Sequence, residues 1–326
     1  MDFHILISRY KQFGGYRLVI EYTKLGVLWP AIKAVGRCVI KRQSFKLIYP
    51  VVLKKVETFL IQKYGSQIPQ ISLRIKANTT CANETNKVIW FCWLQGLEQA
   101  PPIVKACYNS IERHLADREI KVIDKNNWKE YVELPEYIVK KWEKRRIPAA
   151  LFSDLLRLEL LIKYGGTWID STVLCTGFKG SNVQEFKGFL DVDLFLFRYA
   201  KQGIIPVSIS NWFISAHSNN EVLIVLRDML YAYWQDFDCV LDYYIFHLFF
   251  AMISKECPEQ IAAMPYGQSQ NSLVLLHHWD EKFDQKKWDK LTSQVCFHKL
   301  AFRVGENVTK DKENYYNYIL TEYGRI

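Results

Sequence analysis

The chain has 326 residues, of which 49% are apolar and 24% charged, with a net charge of +9. This is the composition of a folded chain of one large domain or two, and it excludes disorder or low complexity as its general state. The charge is uneven: residues 1–60 hold eleven Lys and Arg against Asp2, Glu21 and Glu57, the rest is nearly balanced, and no nucleic-acid-binding motif appears, so no nucleic-acid partner is expected.

In chain order, residues 1–60 set bulky apolar side chains (Ile5, Leu18, Ile20, Leu28, Trp29) among cations (Arg9, Lys11, Arg17, Lys24, Lys33, Arg37). Gly14-Gly15 and Pro30 are expected to break this stretch into short helices. Basic amphipathic helices carrying Trp and Tyr read as membrane-surface elements, with a solvated helical cap as the alternative. Residues 65–86, rich in Ser, Thr, Asn and Gln, read as an irregular connection. The expected division is therefore a basic helical segment over 1–84 and an α/β domain over 85–326. The apolar run Lys87–Trp93 fits a buried parallel strand. Pro101-Pro102 opens a helix that runs to about His114, and Ile120–Ile123 is a second strand. A helix follows near Pro135–Lys144. Residues 149–164 form the most helical segment, stopped by Gly165-Gly166. Thr167–Leu174 is expected as one strand carrying Asp170. Helices are expected around 220–235 and 240–254, then short strands and turns over 264–303. The longest apolar stretch, Cys239–Ile253, contains Asp242 and His247 and falls short of the ~20 apolar residues of a membrane helix. The eight Cys form no CxxC pair and no zinc spacing with His, which suits buried small apolar residues in a reducing cytosol.

Strand, helix, strand from residue 87 predicts an open α/β sheet. Asp154 and Arg157, three residues apart, share a helix face. Their helix feeds through Gly165-Gly166 into the strand with Asp170, and strand ends in such sheets are where ligands bind. Two carboxylates and a guanidinium at one crevice suit transfer of a sugar from a nucleotide diphosphate. The leaving diphosphate needs cations, and the donor hydroxyls need carboxylate acceptors. Spacing alone favours reading Asp154 and Arg157 as a simple helix-surface pair. Asp154 and Asp170 also fit a hydrolase, as acid and nucleophile.

Ser153-Asp154-Leu155-Leu156-Arg157, with Lys163-Tyr164-Gly165-Gly166-Thr167-Trp168-Ile169-Asp170-Ser171-Thr172-Val173, resembles the signature of the bacterial capsular polysaccharide synthesis proteins. These are similar to DxD-containing sugar transferases of the GT-A fold. The strand at 87–96 and Ala100-Pro101 match the family's opening, and the resemblance covers roughly residues 85–305. It implies a GT-A-like, Rossmann-related nucleotide-sugar-binding domain. The implied activity is a hexosyltransferase using a nucleotide-sugar donor, most simply a UDP-sugar, and a lipid-linked saccharide acceptor. The implied place is cytoplasmic, peripheral on the inner face of the membrane. By the same resemblance Trp90, Trp93 and Gln95 line the nucleoside site, and Asp154 and Arg157 hold the donor sugar and diphosphate. Asp170 matches the first DxD acid, with Thr172 at the third position, so the implied divalent cation (Mn2+ or Mg2+) rests on Asp170 and a hydroxyl. Asn211 and Asp242 fall on the acceptor side, and His278, Trp279 and Lys299 near the diphosphate. Asn211 reads also as a turn residue, Asp242 as a helix cap, His278 as a surface histidine and Lys299 as a solvated charge. A non-catalytic assembly protein that keeps the fold is the alternative, favoured by Thr172 in place of the third acid.

Overall fold

The computed structural model describes residues 10–41, 48–78, 87–180, 183–199 and 208–324. The first elements are helices α1 (Tyr16–Lys24), α2 (Leu28–Ile40), α3 (Ile48–Tyr64) and α4 (Gln67–Asn78). Of the expected breaks, Gly14-Gly15 holds, lying with positive φ in the turn between helical residues 10–12 and α1, whereas Pro30 sits in the first turn of α2, where its missing N–H costs nothing. The chain turns instead at Gly26, whose φ of 64° favours glycine. The irregular connection expected over 65–86 is helical as far as Asn78, because Ile68 and Ser72 bury one side of α4; residues 79–86 lie outside the described residues.

From residue 88 the chain alternates as an α/β fold. β1 (Val88–Cys92), helix α5 (Pro102–His114), β2 (Glu119–Ile123) and helices α6 (Glu136–Glu143) and α7 (Ala149–Tyr164) lead into β3 (Gly166–Asp170). β4 (Val173–Cys175), β5 (Leu194–Arg198), β6 (Ile209–Ala216), α8 (Glu221–Asp236) and α9 (Ile245–Glu256) follow. The C-terminal part adds α10 (Gln285–Gln294), β7 (Phe297–Lys299) and α11 (Tyr315–Tyr323), with short helical turns between. The main sheet has the order β2-β1-β3-β6-β5, in which β1, β2 and β3 are parallel and β6 runs against both neighbours.

α7 explains itself locally. Pro148 precedes it, Leu, Ala, Arg and Glu favour the helix, and Gly165 ends it at φ 68°. It is buried nearly all round because it lies between the sheet and α8. The single strand expected over 167–174 is two. After Asp170 the chain leaves the main sheet, and Val173–Cys175 pairs antiparallel with β7 instead. The segment expected as a helix from about 240 begins only at Ile245, because Asp242 Oδ1 accepts the N–H of Tyr244 and holds a turn. The segment 264–303 holds more helix than expected, including α10.

Two apolar cores flank the sheet. One face buries Trp90 and Trp168 against α7, α8 and α9, and Leu18, Val56, Leu60 and Tyr64 of the N-terminal helices belong to the same core. The other buries Ile89, Phe91, Ile169 and Phe213 against α5 and α11. All seven described Cys are free thiols and buried, as expected of small core residues. No helix among the described residues is long and apolar enough to cross a membrane.

Candidate functional site

The carboxyl ends of the parallel strands are level: Cys92 of β1 sits opposite Ile123 of β2 on one side and Asp170 of β3 on the other. Alternation along β3 puts Asp170 on the same face as Trp168, the face covered by α7. Asp154 and Arg157 stand one turn apart on α7 and point to that edge. Arg157 Nη1 donates to Asp154 Oδ1 at 2.6 Å, and Nη2 donates to Asp170 Oδ1 at 3.1 Å. Trp168 Nε1 donates to the same Asp170 oxygen at 2.9 Å. From β7, Lys299 Nζ donates to Asp170 Oδ2 at 3.0 Å and to Thr172 Oγ1 at 2.6 Å. From β6, Asn211 Nδ2 donates to Asp154 Oδ1 at 2.9 Å. Two carboxylates and two cations thus form one network, with Arg157 only 3% exposed. Charges this deep persist only when paired and hydrogen-bonded. The guanidinium also lies 4.7 Å from the Trp168 ring centre, a cation–π contact.

The two carboxyls are driven in opposite directions. Burial raises Asp154 to about 6, aided by the nearby Asp170 charge and only partly offset by Arg157. Burial acts on Asp170 in the same sense, but Lys299 and Arg157 together outweigh it and hold this carboxyl below its ordinary value. The difference is one cation against two. Burial and the Arg157 charge push His247 of α9 down to about 3, so its imidazole is neutral at physiological pH. Burial, then Asp154 and Asp170, push the Tyr243 phenol up to about 12. Arg157 Nε and His247 Nδ1 are buried with no hydrogen-bond partner among the described residues. Such atoms are costly in a finished core and are places where a ligand can bind.

The divalent cation expected on Asp170 and Thr172 does not fit this donor set. Lys299 Nζ already holds an oxygen of each residue. Among the described residues, no group of three or more His, Cys, Asp or Glu is placed to hold an ion. Hard divalent ions need several oxygen ligands, and an ammonium between two of them is a competitor.

Of the residues expected at the site, Asp154, Arg157, Asp170, Thr172, Asn211 and Lys299 are brought together. Trp93 and Gln95 follow β1 at the same edge. Trp93 is half-buried, with Nε1 unpartnered among the described residues and its ring edge-on to Phe302, and Gln95 is exposed. Trp90 is not at the edge. It lies two residues back inside the core, 1% exposed, its Nε1 donating to Gly165 O, so no ligand reaches it. Asp242 is buried and accepts from Tyr49 Oη at 3.1 Å and from Tyr244 N, which makes it the organiser of a turn. The residue that this turn turns toward the carboxylates is its neighbour Tyr243. His278 is exposed and joined to Glu281, and Trp279 packs edge-on against Tyr316; neither hydrogen-bonds to the network. Trp168 and His247 were not anticipated at the site. Trp168 was findable, since residues two apart on a strand share a face. His247 carries no local signal, whereas Tyr243 belongs to the pair Asp242-Tyr243 that the family resemblance puts on the acceptor side.

A family model described as capsular polysaccharide synthesis protein matches residues 37–319, from within α2 to within α11. No curated protein matches the chain. Among solved structures, a PaToxG glycosyltransferase aligns with a TM-score of 0.38 at 14% identity, over 73% of this chain and 92% of that one.

Proposed function

The chain belongs to the capsular polysaccharide synthesis protein family, and from that premise we propose that it is a GT-A-like glycosyltransferase moving a sugar from a nucleotide-sugar donor to a saccharide acceptor. One observation carries the reading: the Arg157, Lys299, Asp154 and Asp170 network at the level ends of three parallel strands, with Arg157 Nε buried and unpartnered among the described residues. A diphosphate is the ligand this arrangement suits. Arg157 and Lys299 supply two positive charges, and the guanidinium N–H that lacks a partner among the described residues is a donor for a phosphate oxygen once the site admits one. In the reaction the bond from C1 of the sugar to the diphosphate oxygen breaks, and the oxygen leaves with the electron pair. The acceptor hydroxyl oxygen bonds to C1 and gives up its proton. Arg157 and Lys299 stabilise the charge that grows on the leaving group.

The carboxylates divide the remaining work. Asp170, held ionised by two cations, is a poor proton acceptor; its charge favours the oxocarbenium-like ring that develops at C1. Asp154, with its carboxyl near 6, is the better matched to accept a proton or a sugar hydroxyl, and Asn211 fixes its orientation. In this reading Trp93 and Gln95 meet the nucleoside, and Tyr243 the acceptor. A lipid-linked saccharide is the acceptor we propose.

The test is a panel of nucleotide sugars incubated with the purified protein and a lipid-linked acceptor, read as nucleoside diphosphate release. Release from one donor, lost in Asp170→Asn, is expected. No release from any donor, or equal release from the variant, overturns the proposal.

A further inference from the structure

The N-terminal helix pair carries apolar residues on the wrong side for a surface element. In α2 the residues that pack inward are Ala34 and Cys38. At about 100° of rotation per residue, Trp29, Ile32 and Ile40 fall within roughly 80° of one another on the opposite face. They are exposed: Trp29 is 63% and Ile40 83% accessible. Helix α1 repeats the arrangement. Leu18 is buried and Tyr22 reaches inward to Leu241 O, while Tyr16, Val19 and Ile20 are exposed. Residues 10–41 contain Lys11, Arg17, Lys24, Lys33, Arg37 and Lys41 against the single acid Glu21, which Lys24 already pairs. Arg17 lies over the Tyr16 ring at 5.1 Å and Lys33 over Trp29 at 5.4 Å, so cations sit at the rim of the apolar faces.

We propose that α1 and α2 dock the protein in the plane of an anionic phospholipid bilayer, with Trp29, Ile32, Ile40, Tyr16 and Ile20 in the interface and the Lys and Arg side chains on the headgroups. Charge selects this occupant. A second copy of the chain would bring six cations against six, whereas an anionic surface complements them. The pattern of aromatic and aliphatic side chains beside cations is that of in-plane helices.

Phe13 just before α1, Tyr22 within α1 and Tyr49 of α3 hold the turn that carries Tyr243. Val240 N donates to Phe13 O at 2.8 Å, and the Phe13 ring stacks on Tyr243 with centres 6.4 Å apart. Tyr22 Oη donates to Leu241 O at 2.8 Å, and Tyr49 reaches Asp242 from α3. Docking through α1 and α2 therefore sets the Tyr243 rim of the site beside the lipid surface. That last step rests on the glycosyltransferase reading above; docking itself does not.

The experiment uses the full-length protein sedimented with vesicles of phosphatidylcholine containing 30% phosphatidylglycerol, with pure phosphatidylcholine as control, at low and high NaCl. Binding is expected to the anionic vesicles alone and to weaken as salt rises. The triple variant Trp29→Ser, Ile32→Ser, Ile40→Ser is expected to lose at least tenfold in partitioning. Lys33→Glu with Arg37→Glu is expected to lose as much, with nucleoside diphosphate release from a soluble donor unchanged in both. Wild-type protein that stays in the supernatant, or variants that partition as wild type, overturn the proposal. So does wild-type protein that self-associates in solution while ignoring vesicles, if the triple variant is monomeric. Loss of donor turnover with vesicle binding intact would sink the catalytic reading and leave this one standing.

Discussion

The sheet edge and the N-terminal helix pair distribute polarity in opposite ways. At the edge, Asp154 and Arg157 are almost wholly buried, and Asp170 and Lys299 are largely so. On α1 and α2, Trp29 and Ile40 are among the most exposed apolar residues described. Each placement runs against the usual sorting of side chains, and each is compensated in its own way. Buried charges survive because every one has an opposite partner at hydrogen-bond distance. The exposed apolar groups of α1 and α2 are left uncovered by the described residues apart from the cations at their rim, and an external surface is what can cover them. Misplaced polarity inside points to chemistry, and misplaced apolarity outside points to contact.

The contrast can be broken at several points. The largest expected effect is at Asp170. Asp170→Asn keeps the shape and an acceptor for Trp168 but removes the charge between two cations, and transfer should fall by about 10² to 10³ with far-ultraviolet dichroism unchanged. Arg157→Lys should follow at about tenfold to a hundredfold in kcat/KM, because an ammonium cannot bridge Asp154 and Asp170 as the guanidinium fork does. Next comes pH. With Asp154 near 6, kcat/KM should drop about tenfold per unit below pH 6 as this carboxyl protonates. Stability gives an independent reading of the same group. A carboxyl raised on folding stabilises fully below its unfolded pKa of about 4 and loses that contribution as pH rises through about 6. Denaturant midpoints of wild type relative to Asp154→Asn should therefore improve from pH 7 to pH 4. Asp170 has the opposite sign: its contribution is present above the ordinary carboxylate value and is lost as pH falls through its depressed pKa. A smaller effect is expected on the outside, where Trp29→Ser should change unfolding free energy by no more than about 0.5 kcal/mol while weakening vesicle binding. The smallest concerns metal. With Lys299 on both Asp170 and Thr172, chelation by EDTA should leave diphosphate release within about twofold, and a complete loss would mean that Lys299 yields its place to an ion.

Much of this was legible in the residues. Pro148, the helix formers of 149–164 and Gly165-Gly166 define α7 without help from the rest of the chain. The i, i+3 spacing of Asp154 and Arg157 and the strand that follows place three of the site's charges. What failed did so for physical reasons. Trp90 looked like an edge aromatic because its strand ends at the site, yet it stands two residues short of that end and faces α7. Asp242 reads as a site acid or as a helix cap, and its carboxylate accepts the Tyr244 N–H two residues on, close to the capping role, and the Tyr49 Oη, which no local pattern announces. Residues 167–174 read as a single strand because β-branched residues continue past Asp170. The partner that captures Val173–Cys175, β7, lies more than a hundred residues downstream.

Local spacing alone determined the helix with its acid and guanidinium, the strand with its second acid, the α/β alternation and the concentration of cations before residue 60. Those are interactions over a few residues, fixed by helical and strand geometry. The meeting of Lys299 with Asp170, 129 residues apart, and of Asn211 with Asp154, 57 apart, was decided only by sheet order and register. So was the outward turn of Trp29, Ile32 and Ile40. An amphipathic helix can bury either face, and it was the packing of Ala34 and Cys38 against the body that left the larger apolar residues in the open.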